Sequence, residues 1–179
     1  MAKIILEVPR EVYRAVWSHL LPKQFRAEEA AFIFAQRFAD NGIDTFRYLE
    51  WHPIPPRGFL TRSRFYLELT DETRAAAIKR AHDLGASLVE LHSHYGSWPA
   101  QFSASDLLGF KEFVPHVWWR LKGRPYMAIV VSKSGFDGLV WISDPKTANY
   151  IDGIVSGGLE LTPTKLSCIG DDSYAFGTL

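Results

Sequence analysis

Short apolar runs of strand length recur along this chain, at residues 30–35, 87–89, 126–132 and 139–142. None approaches the roughly 20 residues a bilayer-spanning helix needs, so no membrane span is expected. Continuous apolar runs of this length suit strands covered on both faces, although the run at 30–35 fits a helix piece equally well. Weaker strand patterns lie at 3–8, 46–51, 64–69, 151–155 and 159–161. Helical spacing separates them. Pro9 suits a first helical position, and Val12, Val16 and Leu20 follow on one face. Thr70 offers a cap for a second helix, which Gly85 ends. Residues 105–121 read as a third helix, which Pro115 should bend or split. Residues 52–63 and 95–102 read as loops. The mixture lacks a strict βαβ alternation, which predicts an α+β fold, a mixed sheet with helices packed on it. A length of 179 residues fits one domain, with no internal repeat and no low-complexity segment.

Composition narrows the partners. Twenty basic side chains balance 20 acidic ones, which argues against bulk attraction to nucleic acid or an anionic membrane. Near-zero net charge is compatible with self-association, for instance as a homodimer. A single cysteine, Cys168, excludes an internal disulfide and zinc-finger spacing, and no nucleophile signature surrounds it. The first residues, from Met1 to Glu7, lack the long apolar core of a signal peptide, so the expected location is the cytoplasm.

The run at 87–89 leads into Glu90-Leu91-His92-Ser93-His94. Residues two apart on a strand share a face, so His92 and His94 can aim at one point. Downstream, Ser103-Ala104-Ser105-Asp106 opens the third helix, and Gly96 and Pro99 can turn the chain back toward the histidines. Two imidazoles and a carboxylate form a common protein ligand set for catalytic zinc. A serine or aspartate at a helix start is also an ordinary cap, Ser105 above all. Two other HxH patterns fail. The metallo-β-lactamase HxHxDH is broken by Tyr95-Gly96-Ser97. An amidohydrolase motif belongs to a barrel longer than this chain.

The remaining pattern resembles the JAMM metallo-isopeptidases, also called MPN-plus or JAB: an upstream glutamate, then HxH, then S-x-x-D. The matching positions are Glu29, His92, His94, Ser103 and Asp106. The context Glu28-Glu29-Ala30-Ala31-Phe32-Ile33-Phe34 is similar to the family's strand after the glutamate. The resemblance covers about residues 8–142 and leaves the 144–179 tail unmatched. This chain departs in having Tyr95 where proline is usual, one extra residue between His94 and Ser103, and Phe32 and Ala35 where small residues are common.

The resemblance implies a mixed, curved sheet flanked by helices, layered as in cytidine deaminases. It implies one Zn2+ held by His92, His94 and Asp106, with Ser103 stabilising the oxyanion. Glu29 is similar to the general base, with Glu28 and Glu90 as rivals. Geometry alone allows Glu90, which shares the histidines' strand face. The implied reaction is hydrolysis of a peptide or isopeptide bond at the C-terminus of a ubiquitin-like protein. Bacterial stand-alone members of this kind accompany E1-like and E2-like proteins, including in antiphage operons. Two other expectations stay open: a non-catalytic MPN interaction module, and a JAB peptidase acting on small cysteine or amino-acid conjugates. Arg57, Arg62 and Arg64 lie either along a substrate groove or on a solvated loop. Tyr95 and Trp98 are expected at the groove's border, and Trp118-Trp119 in helix packing.

Overall fold

The computed structural model describes residues 2–169; residues 170–179 of the unmatched tail lie outside the described residues. The chain runs β1 (Lys3–Glu7), α1 (Arg10–Leu20), β2 (Ala30–Asp40), β3 (Ile43–Pro53), β4 (Phe59–Arg62), β5 (Leu67–Leu69) and α2 (Asp71–Leu84). It continues through β6 (Ser87–Ser93), α3 (Ala104–Arg120), β7 (Tyr126–Ser132), β8 (Gly135–Trp141), β9 (Asn149–Tyr150), β10 (Gly153–Ser156) and β11 (Leu159–Leu161). Nine strands form one curled mixed sheet in the order β11-β10-β1-β3-β2-β6-β7-β8-β9, and β4 and β5 pair separately. The expected α+β class, a mixed curved sheet flanked by helices, is what forms. Among the described residues no helix is long and apolar enough to cross a membrane.

The sheet buries both faces. Phe32, Phe34, Leu88, Tyr126 and Val130 pack beneath α2 and α3 with Ile78, Val114 and Val117. Ile33, Val89, Leu91, Met127 and Ile129 pack on the opposite side with Val16 and Leu20 of α1. Double coverage explains the continuous apolar runs. It also decides the ambiguous run at 30–35, which becomes a strand between β3 and β6.

Several boundaries move for physical reasons. Pro9 is the cap residue of α1 rather than its first helical residue. Phe59–Arg62, within the expected loop, pairs with Leu67–Leu69, while residues 64–66 stay outside a strand. Pro115 leaves α3 continuous from Ala104 to Arg120. Its lost hydrogen bond is offset by burial of Phe110, Val114 and Val117 along the same face. The expected signals at α2 hold: Thr70 Oγ1 accepts from Thr73 N–H at 3.2 Å, and Gly85 takes a left-handed φ of 63°. In the tail, β10 pairs in parallel with β1. Trp118 packs partly against the core, but Trp119 is 72% exposed.

Candidate metal centre

Strand β6 delivers His92 and His94 from its C-terminal end. His92 follows Leu88 on the α3 face and is almost fully buried, while His94 N–H, one residue beyond the strand, donates to Val131 O at 2.8 Å. The two Nε2 atoms are 3.2 Å apart. Asp106 comes from the first turn of α3, with Oδ1 3.5 Å from His92 Nε2 and Oδ2 3.2 Å from His94 Nε2. Zinc–nitrogen and zinc–oxygen bonds of about 2.0–2.2 Å at tetrahedral angles place ligand atoms roughly 3.3 Å apart. One ligand atom from each of the three residues lies within 4.8 Å of the others, and the two imidazoles face different Asp106 oxygens, so the residues present fit the ion once a single oxygen turns to both.

The first turn of α3 shapes the third candidate ligand. Ser103, not Ser105, caps the helix. Ser103 Oγ accepts from Asp106 N–H at 3.2 Å, and Asp106 Oδ2 accepts from Ser103 N–H at 2.7 Å. This is a capping box with aspartate at its third position. Ser103 O–H also donates to Asp106 Oδ2 at 2.7 Å. The S-x-x-D spacing thus follows from helix geometry and orients the carboxylate toward the histidines. Burial pushes the Asp106 carboxyl up, but His92, His94 and Ser103 together hold it well below the usual carboxylate range. Burial pulls His92 down, and Asp106, Glu90 and Glu28 more than reverse this, raising it above the ordinary imidazole value.

The structure separates the two upstream glutamates. In the β2–β6 ladder Ala30 lies opposite His92. Alternation then places Glu28 on the face of Ala30 and His92, and Glu29 on the other. Glu29 continues the ladder instead: its N–H donates to Ser93 Oγ and its carbonyl accepts from Ser93 N–H, both at 3.0 Å. The Glu29 carboxylate pairs with Arg62 at 2.7 Å. Glu28 is 4% exposed and lines a cleft together with His94 and Ser103. Its burial raises the carboxyl pKa, against the opposing influence of His92 and His94. Glu28, and not the expected Glu29, therefore lies on the histidines' face of the sheet. The sequence showed both glutamates but not which parity faces β6.

Glu90 shares the face of His92 and accepts from Tyr126 O–H at 2.7 Å. Two clefts flank the cluster. One, of 550 Å³, runs between β5 and α3 past Glu90, His92 and Asp106. The other, of 290 Å³, holds Glu28, His94 and Ser103 with Arg64, Tyr95 and Trp98. Of the three loop arginines, Arg62 is taken by Glu29 and Arg64 lies over the Tyr95 ring at 5.1 Å. Sequence reasoning missed Asp137. It is a fully buried carboxylate that accepts from the N–H groups of Gly138, Lys165 and Ser167 and from Ser167 O–H. A lone acid between Phe136 and Leu139, inside an apolar strand, was the available signal.

No family model and no curated relative matches the chain. Among solved structures it is similar to a protein from Salinibacter ruber (strain DSM 13855), determined in solution. The two are 22% identical, with a TM-score of 0.44 across 87% of this chain and 93% of that chain.

Proposed function

We propose that this chain is a zinc-dependent hydrolase of the JAMM type, cleaving a peptide or isopeptide bond at the C-terminus of a ubiquitin-like protein. The supporting observation is the convergence of His92, His94 and Asp106 at 3.2–3.5 Å, with Glu28 on the same sheet face. The substrate class rests on the sequence resemblance. Bound there, zinc would polarise the scissile carbonyl and bring the pKa of its water toward about 7.

The chain's own groups supply the rest. Glu28, whose carboxyl pKa is raised by burial, accepts a proton from the attacking water and passes it to the leaving nitrogen. The water oxygen stays on the acyl carbon, the carbon–nitrogen bond breaks, and the products part as carboxylate and ammonium. Ser103 stands beside Asp106, and rotation of its hydroxyl away from that carboxylate would offer a donor to the oxyanion. Asp106 stays ionised, as a ligand must.

The test is a pair of variants assayed on a ubiquitin-like protein fused at its C-terminus to a reporter. Glu28→Gln should retain zinc and fold while losing about 10²–10⁴-fold in rate. Glu29→Gln should stay near the wild-type rate. The opposite pattern would return the base role to Glu29. Failure of the wild-type chain to retain zinc at neutral pH would defeat the hydrolase reading itself.

A further inference from the structure

We propose that the 290 Å³ cleft beside His94 is the leaving-group subsite, and that Arg64 there binds the α-carboxylate of a single C-terminal apolar amino acid. The inference rests on the hydrolase reading and specifies its substrate: a bond one residue from a chain's end.

The polarity of the bond follows from where the proton carrier stands. The group that protonates the leaving nitrogen must lie on the leaving side. Glu28 lines the smaller cleft and not the larger one between β5 and α3. The acyl portion then occupies the larger cleft, past Glu90 and along α3, and the amine portion enters the smaller one.

Size limits the occupant. Small-molecule sites span roughly 300–1,000 Å³, so a cleft at the foot of that range admits one residue and not a folded body. Its walls select the side chain. Tyr95, Phe65, Trp98 and Pro99 supply an apolar lining. Tyr95 is held between Phe25 and Phe65, with ring centroids at 5.4 and 6.0 Å. Trp98 and Phe65 are 82% and 79% exposed, large apolar area that a bound residue would cover.

Charge limits it further. Arg64 lies over Tyr95, and among the described residues it has no carboxylate partner, whereas Arg62 has Glu29. Of the two charged groups that line the cleft, Glu28 is buried and Arg64 is exposed. An α-amino acid has the same polarity: its nitrogen is two bonds from its carboxylate carbon. A planar guanidinium suits that carboxylate, with two parallel hydrogen bonds. In hydrolysis the water oxygen remains on the acyl carbon, both water protons end on the leaving nitrogen, and a free zwitterionic amino acid departs.

The experiment uses zinc-loaded full-length protein and three substrates sharing one acyl peptide. One ends in phenylalanine with a free carboxylate, one in phenylalaninamide, and one is joined to the side-chain nitrogen of an N-acetyl-lysine amide. The free acid should be preferred by about ten- to a hundredfold in kcat/KM, the effect expected of a charge-assisted contact. Arg64→Met should collapse that ratio toward one, and Arg64→Lys should restore part of it. A purely structural Arg64, bracing Tyr95, would move all three substrates together and leave the ratio unchanged. As a readout independent of turnover, phenylalanine but not phenylalaninamide should shift the Trp98 indole resonance of metal-free protein, and Arg64→Met should abolish the shift. Equal cleavage of acid and amide, or preference for the lysine conjugate, overturns the subsite while leaving the hydrolase reading intact. No cleavage of any of the three overturns the subsite, and overturns both readings when the ubiquitin-like fusion also stays intact.

Discussion

Ser103 and Asp106 each serve the helix and the candidate metal site at once. The capping box satisfies N–H groups that the first turn of α3 would leave open, and the same bonds aim the Asp106 carboxylate at His92 and His94. The two duties separate experimentally. Ser103→Ala should lower the stability of metal-free protein by about 1 kcal/mol in urea denaturation, the usual cost of a lost cap. Zinc stoichiometry should be retained, because Ser103 is not a ligand. Ser103→Thr should recover the stability. Loss of activity without loss of stability in Ser103→Ala would show that the hydroxyl acts on the reaction alone.

At the scale of elements, the segment after β11 holds the loop that carries the cap. Ser167 Oγ accepts from Phe102 N–H at 2.9 Å and donates to Asp137 of β8 at 2.6 Å. Thr164 O–H donates to Ala100 O at 2.6 Å, and Tyr150 O–H donates to Ser167 O. These bonds tie the 95–102 loop to the sheet one residue before Ser103. Ser167→Ala should cost about 1–3 kcal/mol, because it strips a buried N–H and a buried carboxylate of one partner each. Hydrogen exchange should quicken at Phe102 and nearby loop amides, and zinc affinity should weaken without loss of the three ligands. Unchanged exchange would show that the loop holds its shape unaided.

Across the whole molecule, the paired charges of the centre make stability depend on pH in opposite senses with and without metal. His92 has a folded pKa above its ordinary 6.5, so its contribution to metal-free stability is full below 6.5 and is lost as pH rises through the raised value. Asp106 is depressed below its ordinary 3.8, so its contribution is present above 3.8 and is lost as pH falls through the lowered value. Metal-free protein should therefore gain most from this pair between those two ordinary values, and its Tm should decline from pH 6 toward 8. Zinc needs neutral imidazoles, so its stabilisation should grow over the same interval, reaching about 2.7 kcal/mol at a hundredfold excess over Kd. Melting curves with zinc and with a chelator at each pH should diverge as pH rises; parallel curves would contradict the ligand set.

Local order was legible in the sequence because local rules govern it. Apolar runs marked the strands that the sheet buries on both faces, Thr70 and Gly85 bounded α2, and the H-x-H and S-x-x-D spacings placed four polar residues on a strand end and a helix start. What depends on which segments lie side by side was not legible. The register of β2 against β6 decides that Glu28, and not Glu29, shares a face with His92, and a shift of one residue would exchange them. The packing of α3 decides that Pro115 is tolerated. The meeting of residues 64, 95 and 98 around Glu28 makes a cleft from segments that are loops in sequence. Side-chain identity and short-range periodicity are properties of the chain itself; pairing register and the convergence of distant loops arise only when the sheet closes over its two cores.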